Sequence, residues 1–243
     1  INTIENNGCL IFDNTDAEAR RLAESSKVTH FGYGIHPYHS NDGKTFLSLD
    51  NGDEVEVRIF GEHNMKNINA ARLVLNRIGV TDEQFYNSIK SFKGAARRLE
   101  NLIDNKEKGN VVFRDFAHAP SKVLATVNAI REKYPEKYFL AVFELHTYSS
   151  LSEVFIDHYA NCLDKCDKAV VFYDPHAVAV KKLDMMSDER IIKGFNRDDI
   201  SVVHSKKELL DLIKTLNINN VVAGFMSSGD FNGLSTSDLC EIF

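Results

Sequence analysis

His63, Asn64 and Asn67 stand where a β-rich stretch turns into a helix, within Gly61-Glu62-His63-Asn64-Met65-Lys66-Asn67-Ile68-Asn69-Ala70-Ala71. Before them Val55, Val57 and Ile59 alternate with polar residues as in a half-buried strand, and Gly61 breaks the alternation. After them Ala70, Ala71, Leu73, Val74 and Ile78 recur at helical spacing up to Gly79, a natural stop. The three polar side chains therefore share one face at the start of a helix. A helix N-terminus supplies free N–H groups and a partial positive charge, and carboxamides match the edge of a base. That chemistry suits a nucleotide. The alternative is a capped helix with polar first-turn residues.

Further chemistry gathers in the second half. Arg97-Arg98-Leu99-Glu100 offers guanidinium groups for a phosphate or for stacking on a base, or a solvated surface. Asp115-Phe116-Ala117-His118-Ala119-Pro120 follows an expected strand and precedes a helix. In an open parallel sheet ligands gather beyond the carboxyl ends of the strands, where a carboxylate suits ribose hydroxyls. Two other strand ends carry polar clusters, Glu144-Leu145-His146-Thr147-Tyr148-Ser149-Ser150 and Ser227-Ser228-Gly229-Asp230-Phe231-Asn232-Gly233. Three polar strand ends in one sheet point to a site there.

The elements that must position these residues follow from patterning. Residues 9–12, 28–33, 46–49 and 55–60 read as strands, the last two a hairpin through Asp50-Asn51-Gly52-Asp53. Thr15 or Asp16 caps a helix carrying Ala19, Leu22 and Ala23, and helices follow at 67–78 and 82–92. Near residue 94 the pattern changes to β/α alternation. Strands at 111–114, 138–143, 168–173, 201–204 and 220–225 alternate with helices at 121–134, 151–163, 189–194 and 206–216. The expectation is an α/β chain whose second part, 95–243, has a mostly parallel sheet with helices on both faces.

Other signals resolve as turns. Gly43-Lys44-Thr45 resembles the end of a phosphate-binding loop, but Tyr38 stands where its first glycine belongs and a strand follows. Gly32-Tyr33-Gly34 lacks the third glycine of a dinucleotide fingerprint, and Pro37 is there instead. His36 and His39 read as a polar loop rather than a metal clip. The 243 residues are 43% hydrophobic and 26% charged with net charge −6, a globular composition without the basic footprint of a nucleic-acid or anionic-membrane binder. No apolar run approaches the ~20 residues of a membrane span, and no signal peptide is evident. Cys9, Cys162, Cys166 and Cys240 show no metal or disulfide spacing, which fits a reducing cytoplasm.

Four motifs in order resemble the C-terminal part of the Mur ligase family, the ATP-dependent amide-forming enzymes of peptidoglycan assembly. Residues 61–71 match G-x-H-N-x-x-N-x-x-A-A, and residues 93–100 resemble the family's interdomain junction. Residues 115–120 resemble D-[YF]-[AG]-H-x-P, and residues 226–233 resemble M-S-N-G-x-F-G-G. The resemblance implies that residues 1–94 are the latter part of the central P-loop-type ATP-binding domain and 95–243 the Rossmann-like C-terminal domain. It implies ATP contacts from His63, Asn64, Asn67, Arg98 and Asp115, and an acceptor side formed by His118, His146, Ser227 and Ser228. It also implies Mg²⁺, a UDP-N-acetylmuramate substrate and an acyl phosphate displaced by an amine, with no nucleic-acid or membrane partner. On that view Asn67→Ala and Asp115→Ala weaken ATP binding and leave the fold intact.

The departures carry information. The family's P-loop and UDP-binding domain are absent from this sequence, so the expectation is a fragment that does not catalyse alone, with no metal ligand of its own. Alanine-adding members resemble F-Q-P-H-R-Y-[ST]-R where this chain has residues 143–150, with Leu145 for the proline and Thr147 and Ser150 for both arginines. Two arginines suit a small carboxylate, and their loss favours a larger acceptor, the L-Ala-γ-D-Glu-meso-diaminopimelate tripeptide of peptidoglycan recycling. L-Alanine is the alternative acceptor. Beyond these stand a folylpolyglutamate synthase-like ligase and a non-enzymatic nucleotide-binding module.

Overall fold

The computed structural model describes residues 3–5, 7–41 and 43–243. Its contacts divide the chain into two compact units, Ile1–Lys93 and Gly94–Phe243. In the first unit the order is β1 (Leu10–Asp13), α1 (Ala17–Glu24), β2 (His30–Tyr33), β3 (Tyr38–Asn41), β4 (Lys44–Ser48), β5 (Glu54–Val57), α2 (Glu62–Arg77) and α3 (Asp82–Ile89). β1 and β2 pair in parallel, and β3, β4 and β5 form an antiparallel sheet. Alternation in Glu54-Val55-Glu56-Val57 buries both valines with Leu47, Met65, Ile68, Phe85 and Tyr86, so this sheet and the two helices share a core. Asp16, rather than Thr15, caps α1 by accepting from the Ala19 N–H at 2.8 Å.

The second unit runs β6 (Glu100–Asn105), β7 (Asn110–Asp115), α4 (Pro120–Lys133), β8 (Tyr138–Glu144), a 3-10 turn (Ile156–Tyr159), β9 (Lys168–Phe172), α5 (Pro175–Val180), α6 (Asp188–Phe195), β10 (Ser201–Val203), α7 (Lys206–Thr215), β11 (Val221–Met226) and α8 (Thr236–Cys240). One six-stranded sheet has the order β10-β9-β8-β11-β7-β6, parallel throughout except for the β6–β7 pair. All six residues of β11 are buried, as expected of a central parallel strand covered on both faces. Val221, Ala223 and Phe225 pack with Leu209 and Ile213 of α7 and with Leu239 of α8. On the other face Gly224 gives way to α4: a Cβ there would lie 2.7 Å from Ile130 Cδ1. The expected mostly parallel α/β sheet with helices on both faces is what the chain forms.

Several elements differ from expectation. Residues 151–163 were expected as a helix, and only Ile156–Tyr159 are helical, in 3-10 form. Asn161 ends any continuation: its φ is +64° and its N–H turns away to the Phe195 carbonyl. The antiparallel edge strand β6 and the short helix α5 carry too little periodic apolar signal to be read. α2 begins at Glu62, five residues ahead of the expected start. The polar loop expected around His36 and His39 is also different. His39 lies on β3, while His36 is 2% exposed with Nε2 2.8 Å from the Tyr86 hydroxyl. No helix among the described residues is long and apolar enough to cross a membrane.

Candidate functional site

α2 opens on Gly61, whose φ of +87° suits glycine, and no side chain caps its N-terminus. With no N-cap side chain, the first turn closes on the Gly61 carbonyl, which accepts from the Asn64 N–H at 2.9 Å. His63 and Asn64 are half-buried and Asn67 is exposed. The Asn64 Nδ2 donates to the Phe60 carbonyl at 2.8 Å, which leaves its amide oxygen uncommitted by that bond. Behind this surface Lys66 Nζ donates to Thr15 Oγ1 at 2.8 Å and lies 3.5 Å from Asp13 Oδ2. Burial works against an ionised Asp13, but the Thr15 amide and hydroxyl and the Lys66 ammonium outweigh it and hold the carboxyl below its usual value. Lys66 and Asp13 were not foreseen as part of this region. Lys66 was within the key stretch, and Asp13 closed the preceding strand.

In the second unit the neighbouring ends of β8, β11 and β7 bring the polar clusters together. Met226 is in register with both Asp115 and Phe143, and the Ser227 N–H continues the ladder to the Asp115 carbonyl at 3.0 Å. Asp115 is buried. Its Oδ2 accepts from the Leu99 N–H at 2.7 Å, and its Oδ1 from the Ala117 N–H at 2.7 Å and the Thr126 hydroxyl at 3.2 Å. Asp115 thereby fastens the segment entering β6 to the loop leaving β7.

That segment separates the two arginines. Arg97 is half-buried, with its guanidinium 5.3 Å above the Phe116 ring and bonded to the Gly229 carbonyl. Arg98 is exposed. The backbone turns sharply between them, with φ of +58° at Arg97 and +47° at Leu99. Asp115 accepting from the Leu99 N–H offsets some of the cost of that conformation.

His118 Nδ1 lies 2.8 Å from the Phe116 carbonyl, so it carries the proton and leaves Nε2 as the basic nitrogen. The Tyr159 hydroxyl donates to the His118 carbonyl at 2.5 Å and fixes the loop from below. Across the sheet end, His146 Nδ1 is 3.4 Å from Glu144 Oε1. Glu144 is 3% exposed, and its Oε2 accepts from the Ser227 hydroxyl and, at 3.0 Å, from the Phe231 N–H. The Ser227 hydroxyl oxygen in turn accepts from the Gly229 N–H at 2.6 Å. Ser228 Oγ is buried without a partner. Glu144 escaped selection as a site residue because a charged strand end reads as solvated; its burial depends on partners 83 and 87 residues away.

Thr147 and Ser150, where two arginines were missed, bond each other. Thr147 Oγ1 donates to Ser150 Oγ at 3.0 Å and accepts from the Ser150 N–H at 3.1 Å. So each unit assembles a cluster of its own: His63, Asn64 and Asn67 in the first, and Asp115, His118, His146, Ser227 and Ser228 in the second. Among the described residues no group of three or more His, Cys, Asp or Glu is arranged to hold a metal ion.

No protein-family model matches the chain. It is 30% identical over 223 residues to a UDP-N-acetylmuramate–L-alanine ligase of Levilactobacillus brevis, covering 90% of this chain and 44% of the relative. It is 29% identical over 227 residues to the like-named ligase of Streptococcus gordonii, covering 88% and 49% respectively. In three dimensions it matches a murein peptide ligase from Psychrobacter arcticus with a TM-score of 0.65 at 18% identity, over 97% of this chain and 51% of that one. The chain thus spans about half the length, or less, of the curated relatives it matches. It is a relative of the Mur ligase family, alike to it in sequence and in fold.

Proposed function

We propose that this chain supplies the adenine-side and acceptor-side groups of an ATP-dependent Mur-type ligase, which joins UDP-N-acetylmuramate to a peptide amine through an acyl phosphate. Residues 1–94 correspond to the latter part of the family's central ATP-binding domain, and residues 95–243 to its C-terminal domain. His63, Asn64 and Asn67 hold adenine and ribose at the uncapped start of α2. Arg98 and Asp115 serve the nucleotide side, Asp115 by fixing the Leu99 amide and so the backbone that presents Arg98. His118, His146, Ser227 and Ser228 form the acceptor side. ATP supplies the phosphoryl group. The described residues do not form a cluster suited to Mg²⁺, so no residue here is assigned to it and no step is routed through it.

The acceptor is proposed to be the L-Ala-γ-D-Glu-meso-diaminopimelate tripeptide, which makes this a cytoplasmic recycling enzyme. One observation carries the preference: Thr147 and Ser150 are neutral hydroxyls bonded within their own turn, Thr147 donating to Ser150 and Ser150 to the Thr147 carbonyl, so neither position offers a cation to the carboxylate of a single amino acid. The test is phosphate release by the full-length gene product with ATP, Mg²⁺ and UDP-N-acetylmuramate. Turnover with tripeptide and not with L-alanine supports the reading. Turnover with L-alanine alone replaces it with the biosynthetic reaction, and no release with either acceptor overturns the ligase reading.

A further inference from the structure

The acceptor side contains one carboxylate that the reading above leaves without a task. Glu144 ends β8 at 3% exposure, and each of its oxygens faces a different group. Oε2 gathers the turn after β11 through the Ser227 hydroxyl and the Phe231 N–H. Oε1 faces His146 Nδ1 at 3.4 Å. That nitrogen is buried without a hydrogen-bond partner, the carboxylate facing it only across the 3.4 Å charge-pair distance. The imidazole as a whole is 37% exposed, so the open edge of the ring is the one bearing Nε2. Gly229 closes the arrangement. A Cβ there would fall 2.7 Å from His146 Nδ1 and 2.8 Å from Glu144 Oε2, so the backbone lies flat against both groups. A buried carboxylate behind one imidazole nitrogen, with the other open, is how an imidazole is held as a proton acceptor.

Resting on the ligase reading, we propose that Glu144 is a positioning residue for the acceptor step, holding His146 so that Nε2 takes a proton from the incoming ammonium. The acceptor R–NH₃⁺ gives one proton to Nε2, and the Glu144 carboxylate, 3.4 Å from Nδ1, stabilises the resulting imidazolium by its charge. The freed nitrogen lone pair attacks the acyl carbon, the C–N bond forms, and the C–O bond to phosphate breaks with phosphate keeping the electron pair. The second nitrogen-bound proton then leaves to phosphate or solvent. The carboxylate acts only through the histidine and does not touch the acceptor.

The experiment separates the two half-reactions in the full-length gene product. Borohydride reduction traps the acyl phosphate formed from ATP and UDP-N-acetylmuramate without any acceptor. Amide formation is then followed with the tripeptide, and with hydroxylamine, an amine already unprotonated near neutral pH. Glu144→Gln, which keeps an oxygen for the Phe231 N–H, is expected to form trapped acyl phosphate and to lose about tenfold in kcat with the tripeptide. His146→Gln, at a half-exposed position, is expected to lose about 100-fold with the tripeptide. Both are expected to lose several-fold less with hydroxylamine than with the tripeptide. Unchanged kcat with the tripeptide in either variant, or equal losses with the two amines, overturns the proposal while leaving the ligase reading in place. Absence of trapped acyl phosphate in the wild type overturns the ligase reading itself.

Discussion

The two clusters are built on opposite plans. At the start of α2 the chemistry lies on the surface, with Asn67 exposed, Asn64 held by one bond, and a helix end that no side chain caps. At the sheet end two carboxylates, Asp115 and Glu144, are inside. Asp115 accepts from three donors and Glu144 from two, while the two imidazoles are half-buried. A surface with open donors and acceptors is complete only when a ligand fills it, at small cost to the fold when empty. A buried carboxylate must be satisfied before any ligand arrives, since an unmet charge or N–H inside costs more than its bond contributes. The first cluster therefore reads as a binding surface and the second as a framework. Substitutions should separate affinity from stability along that line.

The largest effect is expected at Asp115. Removing its carboxylate strands the Leu99 and Ala117 N–H groups, so Asp115→Ala should lower unfolding stability by about 3 kcal/mol. The sequence-based expectation for this variant is weaker ATP binding with its fold intact, and the three hydrogen bonds of Asp115 add a stability cost to that expectation. Urea denaturation of the full chain measures it, and a loss below about 1 kcal/mol would mean the sheet end is no framework. Gly229→Ala should follow. Its methyl group meets His146 and Glu144 at under 3 Å, and overpacking of that kind costs about 1–3 kcal/mol. Here the cost should come with weaker acceptor turnover, and a variant stable and active as wild type would show that the turn yields freely.

Asn67→Ala tests the other side of the comparison. At an exposed helix position stability should stay within about 0.5 kcal/mol of wild type. ATP affinity, measured by calorimetry on the full-length gene product, should fall about tenfold, the worth of one good hydrogen bond. A destabilised protein with unchanged affinity would reverse the assignment of surface and framework.

How much was legible in the sequence follows the same division. Residues 61–71 announced their cluster because spacing along one helix fixes which side chains share a face. The strands of the parallel sheet were legible because burial on both faces leaves continuous apolar runs such as Val221-Val222-Ala223-Gly224-Phe225-Met226. The framework was not, because its partners come from strands far apart in the chain. Nothing local distinguishes Glu144 from an exposed glutamate, and nothing in Arg97-Arg98 says which arginine turns inward. The failed helix at 151–163 has a similar cause. Leu151, Ile156, Tyr159 and Leu163 are all buried as a helical stripe would require, but the chain reaches those places through turns, with Asn161 bonded to α6 instead of to its own preceding turn.

The smallest effect lies away from both clusters, where His204 follows β10. Its Nδ1 is 2.9 Å from the Tyr173 carbonyl, and its Nε2 is 3.1 Å from Asp188 Oδ1 in the first turn of α6. Burial disfavours the charged ring, but the Tyr173 carbonyl and the Asp188 carboxylate together outweigh it, with Glu208 adding to them, and the imidazole titrates above its ordinary value. A group whose folded pKa is raised stabilises the fold while it is protonated. The contribution is therefore complete below about pH 6.5, the unfolded value, and disappears as pH rises through the higher folded value. Because both side chains remain substantially exposed, the gain is small. Urea midpoints of the wild type should fall slightly from pH 6 to pH 8, and His204→Gln should remove that part of the fall. If both proteins change in parallel, the pH response belongs to other groups, and the link from β10 to α6 contributes packing without charge.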